Sequence, residues 1–317
     1  MARVIAELCQ NHLGDRVLLK DMVWAAAGAG ADYAKIQTIR VRELTHRERF
    51  EEGRHEHGVV QCIRRPYQPE YDRLSPLELS PDIERWFREE CARAGLRALT
   101  SVFTRAAVRD VVAAGFGEVK VPSYDCASFP LLLDLRGRFS HVHVSTGATR
   151  DDEIAAAAQV LSGTSFSLLH CVTVYPTPLE SMNLARIEWL RRFTPSVGFS
   201  DHSLVARDGI KASLCALALG ADVIERHFTV LPADRTKDGP VSITPDRLAE
   251  LCRWAKAPRD DLARYVQEAI PEREAMTGVA TRELSNEELL NRDYYRGRFA
   301  SRVGGRWIYN WEDEAIP

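Results

Sequence analysis

Eight short apolar runs, separated by segments of helical character, constrain the fold of this chain more than any other feature. The runs are rich in β-branched residues, and we predict a strand for each of them. Most intervening segments repeat apolar residues with helical spacing, as residues 18–30 and 151–163 do. Strand and helix alternating in this way predict an α/β fold, the (β/α)8 TIM barrel. The predicted strands are residues 4–8, 33–38, 98–103, 118–123, 141–146, 165–171, 197–201 and 223–228.

A doubly wound open sheet is the alternative that the same alternation allows. No Gly-x-Gly-x-x-Gly motif follows the first predicted strand, which argues against a dinucleotide-binding sheet. Gly30 and Gly220 each begin a Gly-Ala-Asp sequence directly before a predicted strand, where a glycine can end the preceding helix. These features favour the barrel.

Charge and composition argue against several classes of protein. The formal net charge is −3, which does not suggest a polyanion binder, so we expect no nucleic-acid partner. A run of about 18 apolar residues does not occur, so we expect no membrane-spanning helix. The seven cysteines form no Cys-x-x-Cys pair, and the first strand pattern begins without a preceding signal segment. We therefore expect reduced thiols and a cytoplasmic location.

Polar residues gather at the ends of the predicted strands. In (β/α)8 barrels the active site lies at the carboxyl ends of the strands, where the loops that follow them converge. Solvated surface residues would be scattered along the chain and not phased to strand ends. The residues at or just beyond the strand ends are Glu7, Asn11, His12, Lys35, Gln37, Thr38, Ser101, Lys120, Ser123, Asp125, Ser145, Thr146, His170, Ser200, Asp201, His202, Glu225 and His227.

Two histidines end neighbouring strands, His202 on the seventh and His227 on the eighth. Adjacent strands lie about 5 Å apart, so both imidazoles can reach one cation. Two imidazoles with oxygen ligands suit a divalent first-row metal. Glu225 shares a strand face with His227, as a further ligand or as a partner that orients one. The alternative is a pair of hydrogen-bonded barrel histidines without a metal.

Two lysines, Lys35 and Lys120, lie in the second and fourth strands. A buried lysine needs an anionic partner or a lowered pKa. One interpretation is a Schiff-base lysine, as in aldolases. The other is an anion-binding cradle that the lysines form with the hydroxyls of Ser123, Ser145 and Ser200, and phosphate is the anion that such donors suit.

Several longer motifs occur in a fixed order over residues 3–230: AELCQNHLGD, GADYAKIQT, LSPLELS, VKVPSYD, STGAT, LLHCVTVYPTP, VGFSDHS and ALGADVIERHFT. Together they resemble the N-acetylneuraminate (sialic acid) synthase family. The resemblance implies a (β/α)8 barrel, a divalent metal (Mn2+ or Mg2+) and a homodimer. It also implies the substrates, phosphoenolpyruvate and an open-chain aldose, which such enzymes condense to a 2-keto-3-deoxy sugar acid and phosphate.

The resemblance also implies roles for individual residues. His202 and His227 match the metal ligands, and Glu7, Asp125 and Lys120 match catalytic positions. The residues that match substrate-binding positions are Lys35, Gln37, Ser101, Ser123, Ser145, Thr173, Tyr175 and Ser200.

The chain departs from the family in three places. Val241 stands where an aspartate usually follows Gly-Pro, and Asp238 is a possible replacement for it. Thr173 stands where an asparagine is common. The family often appends an antifreeze-like domain that supplies an arginine to the partner's sugar site, whereas residues 271–317 resemble only the linker to it. We therefore predict a barrel domain over residues 1–270 and a short C-terminal extension over residues 271–317.

These departures leave the acceptor sugar open. Alternative functions are condensation with a phosphorylated aldose, a metal-dependent aldolase reaction using pyruvate, and a non-catalytic barrel that binds a sugar. The aromatic-rich extension has two possible placements. It packs on its own barrel, or it docks across a dimer interface so that Arg296 or Arg298 reaches the partner's sugar pocket.

Overall fold

Residues 1–316, which the computed structural model describes, contain a closed barrel of eight parallel strands. The barrel predicted from the sequence is thereby confirmed, and every strand begins within one residue of its predicted start. Each strand pairs with its neighbours in sequence, and the first also pairs with the eighth, which closes the ring. The strands are β1 (Arg3–Glu7), β2 (Tyr33–Thr38), β3 (Arg97–Val102), β4 (Glu118–Val121), β5 (His141–Ser145), β6 (Phe166–Cys171), β7 (Val197–Asp201) and β8 (Val223–His227).

Helices surround the barrel and bury one face against it. On the first of them, Leu19, Met22 and Val23 are fully buried, at the helical spacing that the sequence predicts. Gly30 and Gly220 have φ of +85° and +93°, as expected of glycines that end a helix before a strand. The helices are α1 (Arg16–Gly28), α2 (Arg49–Glu52), α3 (Tyr67–Leu74), α4 (Pro81–Arg93), α5 (Ala107–Ala113), α6 (Phe129–Leu135), α7 (Asp151–Val160), α8 (Arg186–Leu190), α9 (Val205–Asp208), α10 (Lys211–Ala218), α11 (Pro245–Lys256), α12 (Arg259–Ala269), α13 (Arg273–Thr277) and α14 (Asn286–Tyr295). Over residues 1–316, none of these helices has the length and apolar character needed to cross a membrane.

The barrel interior is layered, because every second residue of a strand faces inward. An apolar layer comes first along the strands, and its buried members form a cluster of their own: Ile5, Tyr33, Leu99, Leu169 and Val223. Two residues further along each strand, the inward positions are polar or carry a thiol: Glu7, Lys35, Ser101, Cys171 and Glu225. The same two-residue period that builds the floor of the barrel therefore builds a polar layer above it.

Strand register brings particular members of the polar layer side by side. Glu7 is paired with Lys35 on one side and with His227 on the other. Ser200 is paired with Glu225 across β7 and β8. A side chain at Gly198 would bring its Cβ to 2.4 Å from the Val223 carbonyl oxygen, so this glycine allows β7 to approach β8.

The C-terminal extension packs on its own barrel, over the loops that follow β2, β3 and β6. The Thr45 hydroxyl donates to the Gly297 carbonyl at 2.7 Å, and the Asn310 side chain donates to the Phe103 carbonyl at 2.7 Å. In α14, Asn291 donates to the Thr173 carbonyl at 2.8 Å. The described chain thus has the first of the two placements predicted for the extension, and the homodimer stays a prediction.

Two short hairpins complete the fold. One, formed by Arg54–Glu56 and Val59–Cys62, lies in the long connection between β2 and β3. The other, formed by Ser301–Val303 and Arg306–Ile308, belongs to the extension. Both lie outside the barrel sheet.

Candidate active site

A cavity of about 400 Å³ opens at the carboxyl ends of the strands. Its volume falls in the range of small-molecule sites. Every residue to which the family resemblance assigns a role lines this cavity except Asp125. The other strand-end residues that do not line it are Asn11, His12, Thr38, Thr146, His170 and Asp201. The predicted residues that it brings together are Glu7, Lys35, Gln37, Ser101, Lys120, Ser123, Ser145, Thr173, Tyr175, Ser200, His202 and His227.

A network of two lysines and two glutamates forms the inner end of the cavity. The Lys120 ammonium donates to both carboxylate oxygens of Glu225, at 3.0 and 2.9 Å, and the Ser200 hydroxyl donates to the same carboxylate at 2.8 Å. The Lys35 ammonium contacts Glu7, donates to Ser101 at 2.9 Å and lies 3.6 Å from Glu225. Glu225 therefore binds both lysines.

Burial and pairing shift the pKa values of this network in different directions. Burial raises the pKa of Glu7 to about 7 even though Lys35 opposes the shift. Burial lowers the pKa of Lys120. Burial also opposes the charge of Glu225, but Lys120 and Lys35 together hold the pKa of this carboxyl below its ordinary value. Glu7 is thus the carboxyl of the network that can exchange a proton near neutral pH.

Polar atoms without partners line the same cavity. Within residues 1–316, the Ser145 hydroxyl, the Thr173 hydroxyl and Nδ1 of His227 are buried and lack a hydrogen-bond partner. Buried polar groups in folded proteins are nearly always paired. These three groups are therefore available to bind a ligand in the cavity.

The two predicted metal histidines lie together, but a tighter cluster forms around only one of them. The His202 and His227 rings are 5.3 Å apart, and Nδ1 of His202 lies 3.6 Å from the Cys171 sulfur. Ligand atoms of Cys9, His227 and Asp238 all lie within 4.8 Å of one another. Sulfur, nitrogen and carboxylate oxygen are a donor set that suits a divalent transition metal.

Cys9 is a candidate ligand that the sequence prediction did not include. It lies beyond the end of β1 in a turn, with φ of +47°, so strand alternation could not have placed its side chain. Asp238, which the sequence offered as a possible replacement for a missing aspartate, accepts a hydrogen bond from the Tyr175 hydroxyl at 2.8 Å and from the Cys9 thiol at 3.0 Å.

The outer wall of the cavity is basic and comes partly from the extension. Arg73 of α3 donates to Glu70 at 2.9 and 3.0 Å and to Gln10 at 2.6 Å, and Arg298 contacts the same Glu70 carboxylate. Although burial opposes ionisation of Glu70, Arg73 and Arg298 bring its pKa down to about 2. Lys237 adds a further cation to this wall. Arg73, Arg298 and Lys237 outnumber the carboxylate of Glu70, although Glu287 also lines the cavity.

Asp125 lies outside the cavity lining and joins the barrel to the extension. One of its oxygens accepts hydrogen bonds from Ser128 and from Asn310, both at 2.9 Å. Burial raises the pKa of Asp125 from 3.8 to about 6. These contacts give no support to the predicted catalytic role of Asp125, and they give it a structural one.

We expect Asp125→Asn to keep kcat within about threefold of wild type and to stabilise the fold near neutral pH. The pKa of Asp125 is about 6 in the folded protein and 3.8 ordinarily, so ionising this carboxyl destabilises the fold. The loss of stability grows as pH rises between these two values and is complete above about pH 6. The difference between the two pKa values corresponds to roughly 3 kcal/mol. Urea unfolding at about pH 7.5 and about pH 5 checks this, with a larger gain expected at the higher pH. A large loss of kcat would instead restore the catalytic role.

The chain matches a protein-family model over most of its length. The NeuB family model matches residues 22–264, which include β2 to β8 of the barrel and α11. The chain belongs to the NeuB family.

Relatives of this NeuB-family chain carry names of sugar-acid synthases. N,N'-diacetyllegionaminic acid synthase of Campylobacter jejuni is 30% identical over 266 residues, which cover 78% of this chain and 74% of that protein. N-acetylneuraminate-9-phosphate synthase of Homo sapiens is 28% identical over 279 residues, 84% of this chain and 73% of that protein. A crystal structure of N-acetylneuraminic acid synthetase from Leptospira borgpetersenii, in complex with citrate, superposes with a TM-score of 0.70 at 25% identity over 92% of this chain and 90% of that one.

Membership of the NeuB family confirms the resemblance seen in the sequence motifs. It makes this chain a sugar-acid synthase, an enzyme that acts by condensation. The polar ends of β1 to β8, with the basic wall beside them, are the candidate active site of that enzyme.

Proposed function

We propose that this NeuB-family enzyme condenses phosphoenolpyruvate with an open-chain aldose to give a 2-keto-3-deoxy sugar acid and phosphate. The observation that carries this proposal is that one cavity contains two different groups of side chains. Buried lysines and hydroxyls line its inner end, and a cluster of metal-binding type lies beside them. The first arrangement suits an anionic donor, and the second suits an aldehyde that must be activated.

The inner network supports binding of the phosphoenolpyruvate anion. Lys35 and Lys120 supply ammonium donors, and the unpaired Ser145 hydroxyl supplies a donor without a competing acceptor. The Lys120 nitrogen donates hydrogen bonds to both carboxylate oxygens of Glu225. This geometry is that of a charged ammonium group, whereas attack on a carbonyl requires a neutral amine. This contact favours the anion-binding interpretation of the lysines over the Schiff-base interpretation.

The residues beside the network fit a divalent first-row metal ion. Cys9, His227 and Asp238 would hold it, with His202 adjacent, and the unpaired Nδ1 of His227 supports the assignment. When bound, such an ion supplies Lewis-acid polarisation of the aldehyde oxygen. Tyr175 holds Asp238 by a hydrogen bond of 2.8 Å, which fixes the carboxylate that would face the ion.

The chain's own residues then assist each step of the reaction. The enol carbon of phosphoenolpyruvate forms a bond to the aldehyde carbon as the aldehyde C=O π bond breaks. The aldehyde oxygen takes up a proton and becomes a hydroxyl, and positive charge develops at the phosphate-bearing carbon. Glu225 lies at the inner end, where its carboxylate offsets that charge. Water adds to the same carbon, and Glu7, with a pKa of about 7, accepts its proton. Phosphate leaves as the C–O bond to it breaks, and Lys120 stabilises its negative charge.

A phosphate-release assay with phosphoenolpyruvate, Mn2+ and a panel of aldoses, phosphorylated and unphosphorylated, tests the proposed function. We expect release that depends on the aldose, stops when the metal is chelated and resumes when it is returned. A pyruvate aldolase would instead form product from pyruvate without releasing phosphate. A sugar-binding barrel would show aldose binding and no turnover with either donor.

We also propose that residues 271–317 complete the acceptor end of the site of their own barrel. Glu287, Asn291, Tyr295 and Arg298 of this extension line the cavity. Tyr295 stacks on Tyr124 of the barrel, with ring centroids 4.8 Å apart. The extension thus contributes side chains to the same cavity that the strand ends form.

Arg298→Ala is expected to raise KM for the aldose by about tenfold or more while KM for phosphoenolpyruvate changes little. Arg298 shares the Glu70 carboxylate with Arg73 and has no contact with the lysine network, and a hydrogen bond to a charged group is worth roughly 1.5–3 kcal/mol. Arg296→Ala is the matched control, because Arg296 packs over Trp311 and does not line this cavity. Equal effects of the two substitutions on KM would argue against a role for Arg298 in binding the acceptor.

A further inference from the structure

The cluster of Cys9, His227 and Asp238 joins three separate parts of the chain. Cys9 follows β1, His227 ends β8, and Asp238 lies in the loop after β8. Their ligand atoms lie within 4.8 Å of one another, and the Cys9 sulfur is 3.0 Å from Oδ2 of Asp238. A sulfur, an imidazole nitrogen and a carboxylate oxygen therefore converge at the wall of the cavity.

We propose that Cys9 binds the metal through its thiolate sulfur, together with His227 and Asp238, so that the site takes a thiophilic first-row ion such as Zn2+, Co2+ or Fe2+ in preference to Mg2+. The inference deepens the proposed function, on which it rests for the presence of a metal. It adds a ligand that differs in kind from the two histidines predicted from the sequence.

Two further observations support a ligand at this place. Nδ1 of His227 is buried and has no hydrogen-bond partner among residues 1–316, although the side chain lines the cavity. The other carboxylate oxygen of Asp238 is held by the Tyr175 hydroxyl at 2.8 Å, which leaves Oδ2 directed at Cys9. Ligating carboxylates are usually held by hydrogen bonds, as Asp238 is by Tyr175.

The backbone at Cys9 is in the left-handed region, with φ of +47°. A residue that carries a Cβ pays roughly 1–2 kcal/mol for that conformation, which glycine adopts freely. The conformation nonetheless holds the thiol in the cavity, between the Gln37 amide at 3.2 Å and Asp238. This conformational cost is consistent with a functional role for the Cys9 sulfur.

The donor set determines the class of metal. Mg2+ requires near-octahedral oxygen ligands, whereas thiolate and imidazole ligands select Zn2+, Co2+ or Fe2+. Three protein ligands with the remaining side open are typical of catalytic zinc-type sites, and here the open side faces the cavity. On binding, the Cys9 S–H bond breaks, its proton goes to solvent and a sulfur–metal bond forms, without change of oxidation state.

Titration of the metal-free, full-length protein with Co2+ tests the proposal by a spectroscopic signal that does not depend on turnover. We expect a near-ultraviolet sulfur-to-cobalt charge-transfer band that saturates at one Co2+ per chain. Cys9→Ser should lose this band, and its affinity for Zn2+ should fall by at least roughly 100-fold, with little change for Mg2+.

Cys171→Ser is the matched control. Cys171 is the other thiol at the cavity and lies 3.6 Å from His202, but it is not a member of the cluster. This variant should keep the charge-transfer band. A band that disappears in Cys171→Ser and persists in Cys9→Ser would overturn the assignment, and so would wild-type protein that binds Co2+ without any such band.

A second measurement needs no variant and so does not depend on whether Cys9→Ser folds. In wild-type protein, Zn2+ should slow alkylation of Cys9 by iodoacetamide at least about tenfold, as read by peptide mass spectrometry, and Mg2+ should not. Equal protection by both ions, or by neither, overturns the inference. Wild-type Zn2+ affinity in Cys9→Ser, together with normal turnover, would leave the proposed function standing and remove the thiolate ligand. A normal Co2+ band without phosphate release from phosphoenolpyruvate, whichever aldose is supplied, would keep the thiolate ligand and remove the proposed function.

Discussion

Lys120→Met is expected to lower kcat/KM for phosphoenolpyruvate by at least about 10³-fold. Lys120 is buried, and its ammonium is placed to bind the donor anion and to stabilise the departing phosphate. Methionine preserves most of the side-chain volume but offers no donor and no charge. The measurement is steady-state phosphate release, compared with the circular dichroism spectrum and unfolding midpoint of the same preparation.

A double variant separates lost chemistry from lost folding. In Lys120→Met, the buried Glu225 carboxylate loses its nearer cation and keeps only Lys35, 3.6 Å away. Breaking a buried ion pair in this way costs several kcal/mol. Lys120→Met combined with Glu225→Gln removes both members of the pair, so it should regain stability without regaining activity. Activity above about a tenth of wild type in the single variant would show that Lys120 does not hold the anion.

Borohydride trapping distinguishes the two interpretations of the lysines directly. If Lys120 and Lys35 bind an anion, then reduction in the presence of pyruvate or phosphoenolpyruvate leaves the protein mass unchanged. An adduct on either lysine would place this enzyme with the Schiff-base aldolases in mechanism.

Most of the fold and much of the cavity could be predicted from the sequence because both depend on the two-residue period of strands. Once β1 is recognised, the burial of Ile5 fixes the inward direction of Glu7, and the same argument carries Tyr33 to Lys35 and Val223 to Glu225. Convergence of parallel strands then brings these side chains together without any knowledge of the loops.

Loops and long-range contacts set the limit of that prediction. Glu70 meets Arg298 across 228 positions of the sequence, and no local pattern connects α3 with the extension. Asp238 reaches Cys9 across 229 positions through a loop that has no periodicity. The catalytic role of Asp125 stays a prediction, because its position beyond β4 resembles that of the site residues while its side chain accepts a hydrogen bond from Asn310.

Arg226→Met is expected to destabilise the fold by roughly 3–5 kcal/mol. Arg226 alternates with Glu225 and His227 on β8, so it points away from the cavity, and it is fully buried. Its guanidinium lies 2.5 Å from an Asp201 carboxylate oxygen and donates to the Asp201 and Ser203 carbonyls at 3.0 and 2.9 Å. Removing it leaves the Asp201 charge and these carbonyls without their partner.

The pair explains why a strand ends in Ser200, Asp201 and His202. Ser200 faces the lysine network, and Asp201, pointing outward, is fixed by Arg226 and by the Ser203 amide at 2.8 Å, so that the loop holds His202 at the cavity. Urea unfolding of Arg226→Met, with and without Asp201→Asn, measures the effect. Because asparagine removes the stranded charge but can still accept from the Ser203 amide, the double variant should be more stable than Arg226→Met alone. A loss below about 1 kcal/mol in the single variant, or a further loss in the double one, would mean that the ion pair does not hold this end of β7.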